Sequence, residues 1–183
     1  MLEKLIRGGI NAIRIIILKI RLRNRVQIPI IQPMRIRSQL MIQKHAQQVH
    51  IGKNFRLETD AKVRVINGGQ LSIGDNCFIN CNSYITVLGK TKIGNNCLIG
   101  PGVMIFDHDH DYKANGGISS GKMICGTIEI GNNVWIGANS LILKGSKIGD
   151  NAVIGAGSII NFEVMENTVC VQKRQSDFFV YHK

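Results

Sequence analysis

Through the middle and later parts of this chain an aliphatic residue returns at every sixth position. Ile93, Ile99 and Ile105 are followed, after an interruption, by Ile130, Ile136, Ile142, Ile148, Ile154 and Ile160. Gly usually follows the Ile, and Asn or Gly often sits two places further on, as in Ile130-Gly-Asn-Asn-Val-Trp and Ile154-Gly-Ala-Gly-Ser-Ile. A period of six with fixed Gly and Asn phases does not match the 3.6-residue spacing of an amphipathic helix. Nor do the turns of a β-sandwich recur on so regular a clock. The pattern predicts a solenoid in which three sixes make one triangular turn, each six supplying a short strand and a corner. The Ile points inward and stacks on the next coil's Ile. A small residue two places before the next Ile (Cys97, Val103, Val134, Ser140, Ser146, Ala152, Ser158) is expected inside as well, where the corner leaves little room. Gly, Asn and Asp suit the corners because they adopt left-handed backbone angles cheaply.

The same pattern divides the chain. Residues 1–44 lack the repeat, residues 45–165 carry it, and residues 166–183 form an irregular tail. The repeat starts loosely at Ile51-Gly-Lys-Asn-Phe-Arg and tightens at Ile73-Gly-Asp-Asn-Cys-Phe. Extra residues between Val87 and Lys92 reset its register. Residues 106–127 break it entirely, and a long loop thrown out of a regular scaffold is where function tends to sit.

Composition changes the picture in three ways. Few aromatics and abundant Ile suit thin aliphatic layers. The formal net charge of +11 points to an anionic partner, and nothing in the motifs directs that partner to be nucleic acid. The five cysteines form no CxxC pair and no zinc spacing. Cys77 and Cys97 hold the small inward position, so they read as reduced core residues of a cytoplasmic protein. In the first segment Ile6, Ile10, Ile13, Ile17 and Ile20 follow helical spacing with Arg7, Arg14 and Arg21 beside them. No apolar run reaches the roughly 20 residues of a membrane span, and no small-residue cleavage site follows. Such a basic amphipathic helix either lies on an anionic membrane surface, at the inner face of the membrane, or packs on the solenoid or a neighbouring subunit. Pro29 and Pro33 are expected to end the helix and mark a linker.

The interrupting loop carries the candidate chemistry. It contains His108 and His110 among Asp107, Asp109 and Asp111. If the segment is extended, alternation sets the histidines on one side and the aspartates on the other. A metal site of three histidines would need His45, His50 or His182, which lie outside the regular coils, so no metal is expected.

The stretches Ile-Gly-Asn-Asn-Val-Trp-Ile-Gly-Ala-Asn and Ile-Gly-Asp-Asn-Ala-Val-Ile-Gly-Ala-Gly-Ser resemble the hexapeptide-repeat acyltransferases, over roughly residues 50–165. Among these the likeness is to galactoside and maltose O-acetyltransferases and to O-acetyltransferases of bacterial surface polysaccharides. The resemblance implies an all-β fold, a left-handed parallel β-helix. The left hand comes from the resemblance alone, since general crossover rules favour the right hand. The family's catalytic His falls on His110, ten residues after the Gly of Gly100-Pro101-Gly102-Val103, with His108 as the rival. The family's acceptor-binding Asn falls on Asn80, and the Trp bordering the active-site tunnel falls on Trp135. Positions lining the pantetheine arm of the coenzyme fall on Gly137, Ala138 and Ala156. The usual Thr-Lys pair is replaced by Asn161-Phe162 and the usual tail by Val171-Gln172-Lys173-Arg174, so Asn161, Lys173 and Arg174 stand where the coenzyme's phosphates would bind.

The implied reaction is direct transfer of acetyl from acetyl-CoA to a sugar hydroxyl in capsule or lipopolysaccharide synthesis. An imidazole, whose ordinary pKa is about 6.5, takes the proton as the oxygen attacks the thioester. The resemblance also implies a homotrimer with sites between subunits. Two alternatives stand beside it: an N-acetyltransferase acting on an amino-sugar nucleotide, and a β-helix scaffold without catalysis.

Overall fold

The computed structural model describes residues 2–30, 32, 34–35, 37–66 and 68–173, with the side chains of 2–5 and 7 left out. Its frame is three parallel sheets of seven, six and six strands, wound as the faces of a triangular prism. Each coil visits the faces in turn. Lys90–Ile93 lies on the first face, Leu98–Ile99 on the second and Met104–Phe106 on the third. The next coil repeats them with Thr127–Ile130, Trp135–Ile136 and Leu141–Leu143. Register is in phase from coil to coil: Ile93 pairs with Ile130, Ile99 with Ile136 and Ile105 with Ile142.

The six-residue clock therefore becomes three inward aliphatic columns. Ile79, Ile99, Ile136 and Ile154 on the second face and Ile85, Ile105, Ile142 and Ile160 on the third have no measurable exposure. The small residues before them are buried as expected, and several donate hydrogen bonds to corner carbonyls. Ser140 Oγ donates to the carbonyls of Gly137 and Gly155, and Ser146 Oγ to those of Leu143 and Ile160. Cys77 and Cys97 occupy the same position, buried and unpaired by disulfide. At the corner between first and second faces, Asn54, Asn76, Asn96, Asn133, Asn151 and Asn167 all have positive φ. Their amides form a ladder with spacings of 2.9–3.1 Å. Asn thus satisfies both the turn conformation and the coil-to-coil stacking.

The coils extend past the expected boundaries at both ends. Val26–Gln27 pairs with residues 49–50 on the first face, and Gln39–Ile42 pairs with Lys62–Val65 on the third. The first coil thus begins at Val26, residue 45 falls inside a coil, and Pro29 belongs to the first coil rather than to a linker. Pro33 lies outside the described residues. These early coils bury Ile28, Met34 and Ile42, whose spacing changes from six to eight and which lack the Gly and Asn phases of the later repeat, and this hid them from the sequence. Beyond residue 165, Val169–Cys170 adds a last strand to the second face by pairing with Val153–Ile154. The α-helix Leu2–Leu22 (α1) packs over the first coil. Asn11 Nδ2 donates to the Met34 carbonyl, and Arg21 Nη2 to that of Ile42. Among the described residues no helix is long and apolar enough to cross a membrane.

Candidate active site

The insert leaves the third face at Phe106 and returns to the first at Thr127. Its base is a short antiparallel ribbon, His108–His110 against Met123–Cys125. The Gly126 N–H donates to the Asp107 carbonyl at 2.7 Å, closing the two ends together. A single 3-10 turn, Gly117–Ser120, shapes the tip.

Asp107 anchors this base. Its side chain has no solvent exposure, yet it is fully partnered. One carboxylate oxygen accepts from the Leu88 N–H at 2.9 Å, the other from Thr91 Oγ1 at 3.1 Å. His108 Nδ1 lies 3.0 Å from the first oxygen. With Nδ1 donating, the His108 tautomer is set and Nε2 is left as the acceptor. The His108 ring is 13% exposed and stands edge-on to Phe106, which in turn stands edge-on to Tyr84. Asp109 points elsewhere, to Lys144 Nζ at 2.9 Å. His110 is exposed at the far end of the same short strand, its backbone opposite Met123. Neighbouring Cys125 has its thiol pKa pushed up, by partial burial first and by the Asp107 charge second.

The other expected site residues gather on a different edge of the prism. Asn80, Gly137 with Ala138, and Ala156 each follow a second-face strand and lie along the corner between second and third faces, with the coil of Leu98–Ile99 between Asn80 and Gly137. Gly137 is pressed against the next coil: a Cβ there would stand 2.5 Å from the Ala156 nitrogen. Asn80 Oδ1 accepts from the Cys81 N–H at 2.8 Å, bracing its own turn. Trp135 projects outward from the second face, 53% exposed. Lys173 is the last described residue, and Val171, two places before it, lies against Gly155 at the end of this column. The Gln172 side-chain amide makes two hydrogen bonds to the Ile159 backbone, which ties the tail to the last third-face strand. Asn161 lies instead on the corner that carries the insert, and Arg174 lies outside the described residues. Within one chain, then, the histidines and the Gly–Ala column sit on two corners separated by the third face.

The outward side chains of the faces differ in kind. The first face shows Lys92, Glu129, Lys147 and Glu163 in register, with Lys147 Nζ bonded to Glu163 at 2.9 Å. The second shows Leu98, Trp135, Val153 and Val169, and the third Met104, Leu141 and Ile159. Two adjacent faces thus present apolar columns to solvent in the isolated chain.

Asp107 was visible in the sequence only as a neighbour of His108. Of its partners, Thr91 holds the inward position two places before Ile93 on the strand Lys90–Ile93, which the repeat's alternation gives, but Leu88 lies in the irregular turn before that strand, where no periodicity directs its N–H inward. Among the described residues no group of three potential ligands could hold a metal ion.

Comparison with known proteins gives consistent matches. The bacterial transferase hexapeptide (six repeats) family matches residues 71–107 and 127–161, so the gap between them is the insert. WbbJ of Escherichia coli (strain K12), named as a lipopolysaccharide biosynthesis O-acetyl transferase, is 30% identical over 66% of this chain and 66% of its own length. The galactoside O-acetyltransferase of the same strain is 41% identical over 56% of this chain and 50% of its own. The hexapeptide-repeat-containing acetyltransferase VCA0836 of Vibrio cholerae, solved with acetyl-CoA, superposes with a TM-score of 0.58 at 31% identity, covering 66% of this chain and 64% of that one. The chain spans between half and two thirds of the length of these proteins.

Proposed function

Since the chain belongs to the bacterial hexapeptide-repeat transferases, we propose that it moves acetyl from acetyl-CoA to a hydroxyl of a sugar in surface-polysaccharide synthesis. The observation that carries the reading is the insert: one hairpin, pinned at its base, brings two histidines to the rim of an otherwise inert coil. The likeness to a relative solved with acetyl-CoA, and to a lipopolysaccharide O-acetyl transferase, supports the choice of donor and of acceptor class.

The site is completed by a neighbouring copy of the chain. The apolar second and third faces are the surfaces that copies bury, and closure around a three-fold axis leaves no such face open. Packing then sets the insert of one chain beside the Asn80–Gly137–Ala138–Ala156 corner of the next. The pantetheine arm runs along that corner, where Gly and Ala let it approach the backbone. Trp135 borders the entrance, and Lys173 meets the phosphates at the end of the column. Asn80 holds the acceptor.

His110 is the general base by its place in the motif, exposed and able to reach across the subunit boundary. It removes the hydroxyl proton as the oxygen attacks the thioester carbonyl; the tetrahedral adduct then expels the CoA thiolate. Holding both substrates side by side supplies proximity, so no acyl-enzyme is required. One observation favours a second reading with His108 as base, because Asp107 fixes its tautomer and frees Nε2.

Calorimetry with acetyl-CoA, followed by thiol release with oligosaccharide acceptors, tests the proposal. Micromolar binding and acceptor-dependent thiol release support it; no binding at millimolar acetyl-CoA removes it. Loss of a general base costs about 10²–10⁴-fold in kcat. That loss in His110→Ala, with a smaller one in His108→Ala, upholds the first assignment, and the reverse order transfers the role to His108. Turnover only with amine-bearing acceptors would replace O-transfer by N-transfer.

A further inference from the structure

The helix α1 has two apolar faces, and the solenoid uses only one. Asn11, Ile15 and Leu22 are buried against the first coil. At 100° per residue, Ile6, Ile13, Ile17 and Ile20 fall on the opposite side, and they remain 52%, 59%, 56% and 74% exposed. A row of exposed isoleucines along a helix marks a contact that the isolated chain does not make.

Its electrostatic setting selects among partners. Residues 1–25 carry Lys4, Arg7, Arg14, Lys19, Arg21, Arg23 and Arg25 against Glu3 alone. The Arg21 and Arg25 side chains donate to the carbonyls of Ile42 and Lys44, so these two cations sit where the end of the helix meets the first coil. A second copy offering the same face would set this positive cluster against its like. A membrane-crossing role is closed by the helix itself, which is not apolar enough to span. An anionic lipid surface satisfies both halves of the face, taking the isoleucines at the headgroup–acyl boundary and the cations among phosphates.

We propose that the outward face of α1 docks on an anionic phospholipid bilayer. The helix lies in the plane of the interface, and the coils extend from its other side. The proposal does not depend on the acetyl-transfer reading, and acetyl-CoA binding is unaffected by its outcome.

The test is co-sedimentation of the full chain with vesicles of phosphatidylcholine, with and without about 30% phosphatidylglycerol. The chain is expected to pellet with the anionic vesicles, to stay in solution with the neutral ones, and to be released in part by about 0.5 M salt. Ile17→Asp combined with Ile20→Asp is expected to lower partitioning by about tenfold or more. Both residues are exposed, so the variant's circular dichroism and melting temperature should match those of the parent. Failure to pellet with anionic vesicles overturns the proposal, as does undiminished pelleting of the variant. A fall in oligomeric mass in the variant also overturns it, and assigns the face to a second copy. If the aspartates unfold the helix, Ile17→Gln with Ile20→Gln repeats the measurement under the same criteria.

Discussion

At the residue scale, Asp107 shows how one buried carboxylate joins architecture to chemistry. It satisfies the Leu88 N–H, the Thr91 hydroxyl and His108 Nδ1 at once. Asp107→Ala leaves the Leu88 N–H without its acceptor in a partly buried turn, at a cost of about 1–3 kcal/mol. Urea unfolding of that variant should show the loss. Asp107→Asn behaves differently. Its remaining oxygen still accepts from Leu88 and His108, while the Thr91 hydroxyl rotates to accept from the new amide. Stability is therefore expected within about 1 kcal/mol of the parent. If His108 only anchors the hairpin, the Asp107→Asn variant turns over at the parent's rate. If His108 is the base, loss of the carboxylate that orients its ring and stabilises the imidazolium formed in the transition state lowers kcat.

At the element scale, the coil is held by repeated close approaches between corners. Gly137 is the clearest instance, since an added Cβ would meet the Ala156 nitrogen at 2.5 Å and the Ile154 carbonyl oxygen at 2.8 Å. Both are backbone atoms, so nothing can swing aside. Gly137→Ala is expected to lose about 1–3 kcal/mol of stability through overpacking, measurable by thermal or urea unfolding before any ligand is added. The glycine would be needed at this position even in a coil that bound no coenzyme.

Such corners explain what was legible in the sequence. Ile, the small inward residue and the Asn or Gly turn each obey one local rule repeated coil after coil, so the faces and their register could be read by counting. Resemblance to a family, not counting, gave the left hand of the coil. The first coils bury Val26, Ile28, Met34 and Ile42 at irregular spacing, and only the pairing of their strands reveals them. In α1 the Ile6–Ile20 stripe was seen, but not that the helix packs by the other side. Asn11, the buried polar residue at that contact, carries no such signal in its spacing.

At the scale of the whole molecule, the division of the proposed site between two corners has a consequence that neither corner shows alone. His108 and His110 come from the corner after the third face, Ala138 from the corner after the second. If copies of the chain assemble so that each insert serves the next chain's corner, the two defects can be separated. His110→Ala, with His108→Ala in the same chain, supplies a sound corner and a dead insert. Ala138→Trp fills the half-buried corner but leaves the insert intact. Each variant alone should be inactive. When the two are co-expressed in equal amounts and assemble at random, about a quarter of the sites combine a sound insert with a sound corner. Activity should therefore return to about a quarter of the parent's. The recovered assembly should have a mass near three times the 20.3 kDa chain. No recovery from a mixed population shown by mass to contain both variants would mean that each site is built within one chain. The insert would then have to fold back over its own third face, past Phe106 and Tyr84, to reach Ala138.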